Sequence, residues 1–314
     1  MKKIKYCILC GSSKFTFLYK THDRMFDLPG EFFLKKCSNC SLVFLDPQPS
    51  DSEIKKYYPS KNYYAYNKNK KKGLAEVFRE YLVRHYYSPN LFSLFISTFV
   101  QNVPAMPLFV RNGKILDIGC GAGDTLLLLK ELGWDTYGID MDSKAIENAE
   151  KRGLNNLRFG TYKDLARYPD NYFDAIRLYH VIEHLDDPSL CLSLIKNKLK
   201  NNGELIVGTP NIKSLVGIIF KSCWYNLDSP RHLFLFSPST LKKLVEKEGF
   251  IIKKTEFCSA GGIAGSLQYF LRDKLNKKID LIHKLAVVLL FYPFEWVLDK
   301  LYLGDVFTIK ASGK

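Results

Sequence analysis

The sequence predicts a doubly wound α/β domain with a parallel sheet, and two observations support it. From residue 113 onward, runs rich in β-branched and aromatic residues alternate with amphipathic stretches of helical periodicity. KILDIG, WDTYGID, FDAIRLY and GELIVGTP predict buried strands, NLRFG a weaker one, and TLLLLKEL, SKAIENAEKRG and LCLSLIKNKLK the helices between them. Ligands of such sheets bind at the carboxyl ends of the strands, where the strand order reverses. We therefore expect the functional site at that edge.

Length and charge limit the classes of function. The chain has 314 residues, enough for one large domain and a smaller module. Its net charge of +14 favours an anionic partner, which could be a nucleic acid, a phosphorylated metabolite or an acidic membrane surface. The first ten residues are charged and lack the apolar run of a secretory signal. We expect a cytoplasmic protein.

Two CxxC pairs, Cys7/Cys10 and Cys37/Cys40, open the chain. Two residues between thiols let one tight turn direct both sulfur atoms at the same ion, and two such turns complete a tetrahedral zinc site. Four cysteines leave no ligand position for water, so we expect a structural zinc-binding module at residues 1–46; four unrelated thiols are the alternative. The other cysteines, Cys120, Cys191, Cys223 and Cys258, are scattered, as expected of core packing.

Residues 47–112 predict a linker followed by a helical cover. DPQPSDSEIKKYYPS is punctuated by Pro and Ser, and YYPSKNYYAYNKNKKKG interleaves tyrosines with lysines. Such a segment is a solvated linker or a surface that stacks on bases or lies against a membrane. Residues 85–110 carry no formal charge, but three prolines and several polar residues argue against a membrane-spanning helix.

A glycine-rich turn follows the first predicted strand. Gly119, Gly121 and Gly123 allow the backbone to approach a ligand that side chains would exclude. Asp117 lies two residues before the first glycine, where a negative charge disfavours a pyrophosphate and suits a cationic ligand. Asp140 ends the second strand, where a carboxylate can bind both ribose hydroxyls. A ligand with a ribose, an ammonium group and no phosphate is S-adenosylmethionine.

The motifs DIGCGAGD, GIDMD, FDAIRLYHVIEHLDDP and GELIVGTPN occur in this order over residues 113–258. They resemble class I S-adenosylmethionine-dependent methyltransferases, in particular bacterial enzymes related to ubiquinone-pathway O-methyltransferases and to sugar methyltransferases of surface-polysaccharide clusters. CILCGSS with KCSNCSLVFLDPQPS resembles the zinc-binding module of deoxysugar methyltransferases. The resemblance implies seven strands, the last antiparallel, with GFIIKKTEFC and DVFTIKASGK as the final pair in a domain at residues 113–314.

The resemblance also implies a set of cofactor-binding positions. The three glycines would line the methionine portion, Asp117 would lie near its amino group, Asp140 would bind the ribose, and Met141 would pack on the adenine. The full set is Asp117, Gly119, Cys120, Gly121, Gly123, Asp140, Met141, Thr161 and Tyr179, with Thr161 bordering the adenine.

YHVIEH, at the end of the fourth predicted strand, supplies His180, Glu183 and His184. The pattern HxxEH also occurs in zinc proteases, but there it lies within a helix and needs a further ligand. Ubiquinone-pathway relatives have an acidic cluster associated with a divalent metal, whereas this chain has His180 in place of a carboxylate. For Glu183 and His184 we expect a mutual hydrogen bond that orders the start of a helix.

SPRHLF, just before a capped helix, supplies Arg231 and His232. Similar sugar-cluster methyltransferases have a comparable segment over the substrate pocket. Arg231 could bind an anionic acceptor and His232 could accept a hydroxyl proton, while His180 is the second candidate base. The structural alternative is that Arg231 caps a carbonyl group and His232 packs at the sheet edge.

Residues 259–304 predict a helical insertion between the last two strands. Its uncharged run from Leu285 to Phe294 is too short to span a bilayer and contains Pro293. The helix either packs on the domain or lies at a membrane interface, which would allow peripheral contact with an acidic membrane.

We expect an S-adenosylmethionine-dependent methyltransferase that methylates a hydroxyl of a small, nucleotide-linked or lipid-linked sugar. One alternative is C- or N-methylation of a deoxysugar. Another is an rRNA or tRNA methyltransferase, but amino-methylating enzymes of that class have an acid or Asn followed by two prolines where this chain has YHVIEH. A third is a non-catalytic binding protein on the same fold.

Overall fold

The computed structural model describes residues 1–58, 74–94, 105–259, 261–277 and 279–313. Most of the tyrosine- and lysine-rich linker and the middle of the uncharged stretch lie outside these residues. Within them, α2 (Leu74–Arg84) contributes Val83 to a cluster with Ile115 and Trp134, so it packs on the edge of the main domain.

The main sheet has seven strands, as the sequence predicts. They are β4 (Lys114–Ile118), β5 (Asp135–Asp140), β6 (Asn156–Phe159), β7 (Phe173–Tyr179), β8 (Leu199–Pro210), β10 (Phe250–Phe257) and β11 (Val306–Gly313). Their order is β10-β11-β8-β7-β4-β5-β6. The five strands from β8 to β6 are parallel, whereas β11 pairs antiparallel with both β8 and β10. The chain runs from β4 outward in both directions, which places the strand-order reversal between β4 and β7.

Some of the described helices pack on this sheet through their apolar sides, and the others lie outside it. Their ranges are α1 (Asp51–Ile54), α3 (Asp124–Glu131), α4 (Ser143–Lys151), α5 (Pro188–Lys198), α6 (Leu215–Phe220), α7 (Pro238–Lys247), α8 (Gly262–Leu275) and α9 (Leu285–Lys300). The predicted helices after β4, β5 and β7 are confirmed by α3, α4 and α5. Asp142 caps α4 by accepting a hydrogen bond from Lys144 N, and Asp187 caps α5 through Leu190 N.

A second, four-stranded sheet contains β1 (Phe15–Thr21), β2 (Phe32–Cys37), β3 (Val43–Leu45) and β9 (Phe234–Leu235) in that order. The first three strands come from the N-terminal segment, but β9 comes from SPRHLF. Val43 pairs with Leu235 and Phe44 with Phe234 in an antiparallel register. Phe44 is 1% exposed and shares one apolar core with the main domain. The N-terminal segment is therefore joined to the main domain through backbone pairing and packing.

The predicted insertion between the last strands contains α8 and α9. A buried carboxylate fixes the end of the insertion: Asp305, just before β11, accepts hydrogen bonds from Ser214 Oγ, Trp224 Nε1 and Asn226 Nδ2 at 2.6 to 2.7 Å. Burial raises the pKa of Asp305 to about 6. Within the described residues, no helix is both long and apolar enough to cross a membrane.

Candidate functional site

The turn between β4 and α3 leaves backbone open at the carboxyl edge of the sheet. Gly119 and Gly121 have φ of +73° and +54°, in the left-handed region. A Cβ at Gly119 would clash with Val181, whereas no described atom lies within 4 Å of a Cβ built at Gly121. Gly121 thus presents backbone to open space beside the strand-order reversal, as a ligand-binding turn requires.

Asp140 lies beside this turn, at the end of β5. Its Oδ2 accepts a hydrogen bond from Gly121 N at 2.7 Å, and its Oδ1 accepts one from Asp142 N at 2.9 Å. Burial raises the pKa of Asp140, and these two bonds oppose that effect. Each carboxylate oxygen keeps further acceptor capacity. The carboxylate is thus held in one orientation next to the open turn, where it suits the two hydroxyls of a ribose.

Asp117 has a different environment from the one that the sequence predicted. It pairs with Arg177 on the neighbouring strand β7, whose Nη1 donates to both carboxylate oxygens at 2.8 Å. Both side chains are almost fully buried. Burial raises the pKa of Asp117, and the guanidinium opposes that effect. The charge of Asp117 is therefore neutralised by Arg177 inside the sheet. This pairing argues against the predicted role of Asp117 as the negative charge beside a ligand's amino group. Sequence reasoning missed Arg177, although a lone arginine in an apolar strand signals a buried partner.

The remaining predicted cofactor positions have mixed environments. Met141 is 60% exposed after β5 and so is accessible to a ligand. Thr161 accepts a hydrogen bond from Lys163 N and thereby caps a short 3₁₀ helix. Cys120 is buried with its Sγ near Gly138, and the ring of Tyr179 lies against His180, with centroids 4.6 Å apart. Thr161 and Cys120 thus have structural surroundings that account for them without a ligand.

His180 follows β7 directly. Its φ of +57° is uncommon for a residue other than glycine, and its N donates to Gly208 O at 2.9 Å. About a third of its side chain is exposed. Its Nδ1 lies 3.4 Å from Oε1 of Glu183. The ring therefore has one nitrogen directed at a carboxylate, which leaves Nε2 for a second partner.

Glu183 is fully buried behind His180. Its Oε2 accepts a hydrogen bond from Thr209 Oγ1 at 2.9 Å, and its Oε1 has no aligned hydrogen-bond partner among the described residues. Burial acts to raise the pKa of this carboxyl, but the imidazoles of His180, His232 and His184 outweigh burial and lower the pKa to about 2. Glu183 is therefore an ionised carboxylate beneath the site.

His184 does not form the predicted hydrogen bond with Glu183. Its Nδ1 lies 3.0 Å from Arg231 O and 3.2 Å from Tyr58 Oη. Its ring contacts that of His232, with centroids 4.6 Å apart. His184 thus joins the loop after β7 to SPRHLF and to the N-terminal segment.

His232 is only 6% exposed. Its Nδ1 lies 3.0 Å from Asn226 O, while Nε2 lies 3.9 Å from carboxylate oxygens of both Glu183 and Asp228. Burial, followed by the charge of His184, lowers the pKa of His232 to about 4. The ring is therefore neutral near pH 7 but poorly accessible and weakly basic. Ring nitrogens of His184 and His232 and an oxygen of Glu183 lie within 4.8 Å of one another, a spacing that a metal ion could bridge.

Arg231 is internal, which argues against its predicted role as an anchor for an anionic acceptor. Its side chain is buried, its Nη2 donates to Asp23 at 2.7 Å and to Asp228 at 2.5 Å, and its Nη1 donates to Tyr57 O at 2.9 Å. The two carboxylates raise its pKa above the ordinary arginine value, against the effect of burial. The guanidinium therefore serves to join the N-terminal segment to the SPRHLF loop.

The four N-terminal cysteines converge as their spacing predicts. All four sulfur atoms lie within 4.8 Å of one another, with Cys7 Sγ to Cys40 Sγ at 3.5 Å and Cys10 Sγ to Cys37 Sγ at 3.6 Å. A tetrahedral zinc site with bonds of ~2.3 Å places sulfurs ~3.8 Å apart, so the donor set fits a metal ion of that kind.

The two cysteine turns share one backbone pattern. Gly11 N donates to Cys7 O at 2.8 Å, and Ser41 N donates to Cys37 O at 3.0 Å. Gly11 and Ser41 have φ of +72° and +67°, so each turn closes on a left-handed residue. Burial acts to raise the pKa of Cys10, but hydrogen bonds to its sulfur outweigh burial and lower the pKa to about 7, whereas burial raises the pKa of Cys7 and Cys40.

Comparisons with known proteins agree with this architecture. The model of the family described as "Methyltransferase domain" matches residues 85–254, which is more than half of the chain. An uncharacterised protein of Haemophilus influenzae is 35% identical over 106 residues, covering 31% of this chain and 42% of its own length. The ubiquinone biosynthesis O-methyltransferase of Xanthomonas oryzae pv. oryzae is 28% identical over 109 residues, covering 33% of this chain and 46% of its own length. The chain thus spans under half the length of these two curated relatives.

Among solved structures, a SAM-dependent methyltransferase from Archaeoglobus fulgidus is 27% identical. The alignment covers 74% of this chain and 98% of that one, with a TM-score of 0.46.

Proposed function

Since the chain belongs to the methyltransferase-domain family and has the class I fold of S-adenosylmethionine-dependent methyltransferases, we propose that it O-methylates a sugar. The acceptor is a small sugar or a nucleotide-linked or lipid-linked one. The observation that carries the proposal is that the open turn at Gly121 and the partly exposed His180 follow two neighbouring parallel strands, β4 and β7. A hydroxyl acceptor agrees with the O-methyltransferase name of the Xanthomonas relative.

The cofactor would bind along the turn after β4. Backbone at Gly121 allows close approach, the fixed carboxylate of Asp140 suits the ribose hydroxyls, and Met141 is accessible for packing on the adenine. When bound, S-adenosylmethionine supplies a methyl group on a positively charged sulfur, which a nucleophile displaces in line. The chain's residues must then align the acceptor oxygen and remove its proton.

His180 is the best placed base among the described residues. Glu183 lies behind it as an ionised carboxylate, with Oε1 3.4 Å from Nδ1, so a proton on Nδ1 faces the carboxylate and Nε2 can accept the proton of a hydroxyl. His232, the base favoured from the sequence, is buried, and its pKa is lowered to about 4. A base of that strength accepts a hydroxyl proton less readily near neutral pH.

Release of S-adenosylhomocysteine tests the proposal, with nucleotide-linked sugars, lipid-linked sugars and tRNA offered in parallel. We expect turnover with a sugar acceptor and a loss of about 10²-fold or more in His180→Gln, with cofactor affinity unchanged. His283→Gln is the matched control because that histidine is 81% exposed in the insertion. Full activity of His180→Gln would overturn the role of the base. Methylation of tRNA with a steep salt dependence would overturn the acceptor class.

We further propose that the four cysteines hold zinc in a structural role. Four thiolates complete a tetrahedral shell and leave no position for a reacting water. One zinc ion per chain in purified protein is expected, and metal-free protein with four reduced N-terminal thiols would contradict this proposal.

A further inference from the structure

The helical insertion exposes an apolar stripe that no described residue covers. On α9, Leu290, Phe294, Val297 and Leu301 follow one another at steps of four, three and four residues, which places them on one side of the helix. Their exposed fractions are 65%, 62%, 46% and 59%. A contiguous apolar surface of this kind marks an interaction site more often than an ordinary solvent-facing helix does.

Two buried carboxylates on the other side of α9 fix its rotation. Glu295 accepts hydrogen bonds from Gly261 N at 2.9 Å and Ile263 N at 3.0 Å. One turn further along, Asp299 accepts hydrogen bonds from Ser259 N and Ser259 Oγ at 2.8 and 2.6 Å. Turning the stripe inward would break all four bonds. The outward direction of the stripe is therefore specified by the chain itself.

A second apolar element adjoins the stripe. Leu215 N, at the start of α6, donates to Leu303 O just after α9, at 3.1 Å. On α6, Ile218 and Ile219 are 56% and 62% exposed. We call the combined surface the apolar face; it consists of Ile218, Ile219, Leu290, Phe294, Val297 and Leu301.

Exposed lysines flank both helices of the apolar face, while Asp280 is an exposed acid that precedes α9. Exposed lysines lie at the ends of its two helices: Lys284 and Lys300 at α9, and Lys213 and Lys221 at α6. The carboxylates of α9, in contrast, are the two that point inward. A cationic rim repels a second copy of the same face and attracts an anionic surface.

We propose that the apolar face docks the protein on a bilayer that contains anionic lipids, with α9 lying in the plane of the interface. Apolar side chains that enter the acyl boundary, together with lysines that remain at the headgroups, are the features of an interfacial helix. With 16 residues, α9 is about 24 Å long and too short to span the membrane. This inference does not depend on which acceptor is methylated.

Co-sedimentation with vesicles tests the docking of the full-length protein. One set of vesicles contains phosphatidylcholine alone, and the other contains phosphatidylcholine mixed with phosphatidylglycerol. We expect binding to the mixed vesicles that is at least about tenfold stronger than to the neutral ones and that weakens with added salt. The double variant Leu290→Ser/Phe294→Ser should lose at least about tenfold in vesicle affinity because two apolar side chains no longer enter the bilayer.

Phe17→Ser is the matched control, since Phe17 is a 59% exposed aromatic residue on β1, in the N-terminal sheet. It should bind vesicles like the wild type. The affinity of each variant for S-adenosylmethionine shows whether the variant is folded. If the wild type itself does not bind this cofactor, that result counts against the proposed function, and the vesicle result can still be interpreted. If the wild type does not bind vesicles that contain phosphatidylglycerol, the proposal of membrane docking is wrong. If the wild type does not bind vesicles but forms dimers, and Leu290→Ser/Phe294→Ser is monomeric, the apolar face binds a second copy of the chain instead.

Discussion

Gly121→Ala tests whether the turn after β4 is open because a ligand must approach its backbone. Gly133, which follows α3 and precedes β5, offers a matched position. The two glycines have φ of +54° and +93°, and no described atom lies within 4 Å of a Cβ built at either. An added methyl group therefore causes backbone strain of about 1–2 kcal/mol in each variant, without a clash inside the folded chain.

The two variants differ in what the new methyl group faces. At Gly121 it would project into the space beside Asp140, where the cofactor is proposed to bind, whereas Gly133 precedes β5, at the opposite end of that strand from Asp140. A lost backbone contact with the ligand should weaken the affinity of Gly121→Ala for S-adenosylmethionine by at least tenfold, or about 1.4 kcal/mol. Gly133→Ala should bind the cofactor within about twofold of the wild type, since a change well below 1 kcal/mol is expected at a site without ligand contact.

Titration calorimetry measures the affinity, and thermal unfolding measures the strain. Both variants should unfold at lower temperatures than the wild type because strain acts on the folded state alone. Wild-type affinity in Gly121→Ala would refute the interpretation of the turn as a ligand cradle. An equal loss of affinity in both variants would show that strain, rather than contact with the ligand, is responsible.

The other predictions concern the parts that support the site. Cys37→Ser should remove the bound metal and lower turnover more than cofactor affinity, as measured by metal analysis and calorimetry. Arg231→Met leaves Asp23 and Asp228 buried without their cation, so the free energy of unfolding from urea titration should fall by about 3–5 kcal/mol; an unchanged value would contradict the structural role of Arg231. Asp305 has a pKa of about 6 in the folded chain and a lower pKa in the unfolded chain, so its protonation stabilises the fold. This stabilisation, of up to about 3 kcal/mol, is complete below about pH 4 and is lost as pH rises through 6. Asp305→Asn should remove that part of the pH dependence, and an unaltered dependence would contradict it.

The main sheet was predictable because buried parallel strands are short apolar runs that end at turn residues. Strands β4, β5, β7 and β8 each form from such a run, and β6 forms from the weaker one. Strand β9 was not predictable: it has only two residues, and it exists because Phe234 pairs with Phe44, which is distant in sequence. Local propensity contains no signal for a pairing of that kind.

The candidate site was predictable where one local segment sets the geometry. The Gly121 turn and the position of Asp140 at the end of its strand follow from spacing alone. The partner of Asp117 did not follow, because Arg177 reaches it across the sheet from 60 residues away. The choice between His180 and His232 needed the burial of each ring, which short motifs do not encode. The apolar periodicity of α9 was visible in the sequence. The inward direction of its two carboxylates was not, because their partners lie in the residues just before α8 and at its start.

The N-terminal segment supports the candidate active site directly. Asp23, in the connection between β1 and β2, binds the guanidinium of Arg231. The backbone carbonyl of Arg231 lies 3.0 Å from Nδ1 of His184. The ring of His184 in turn packs on His232, above the carboxylate of Glu183. Cys37 ends β2, at the opposite end of that strand from this connection, so the cysteine turns act on it through the pairing of β2 with β1 and β3. Loosening the metal site should therefore disturb the residues around the proposed base before it disturbs the cofactor turn, which lies between β4 and α3.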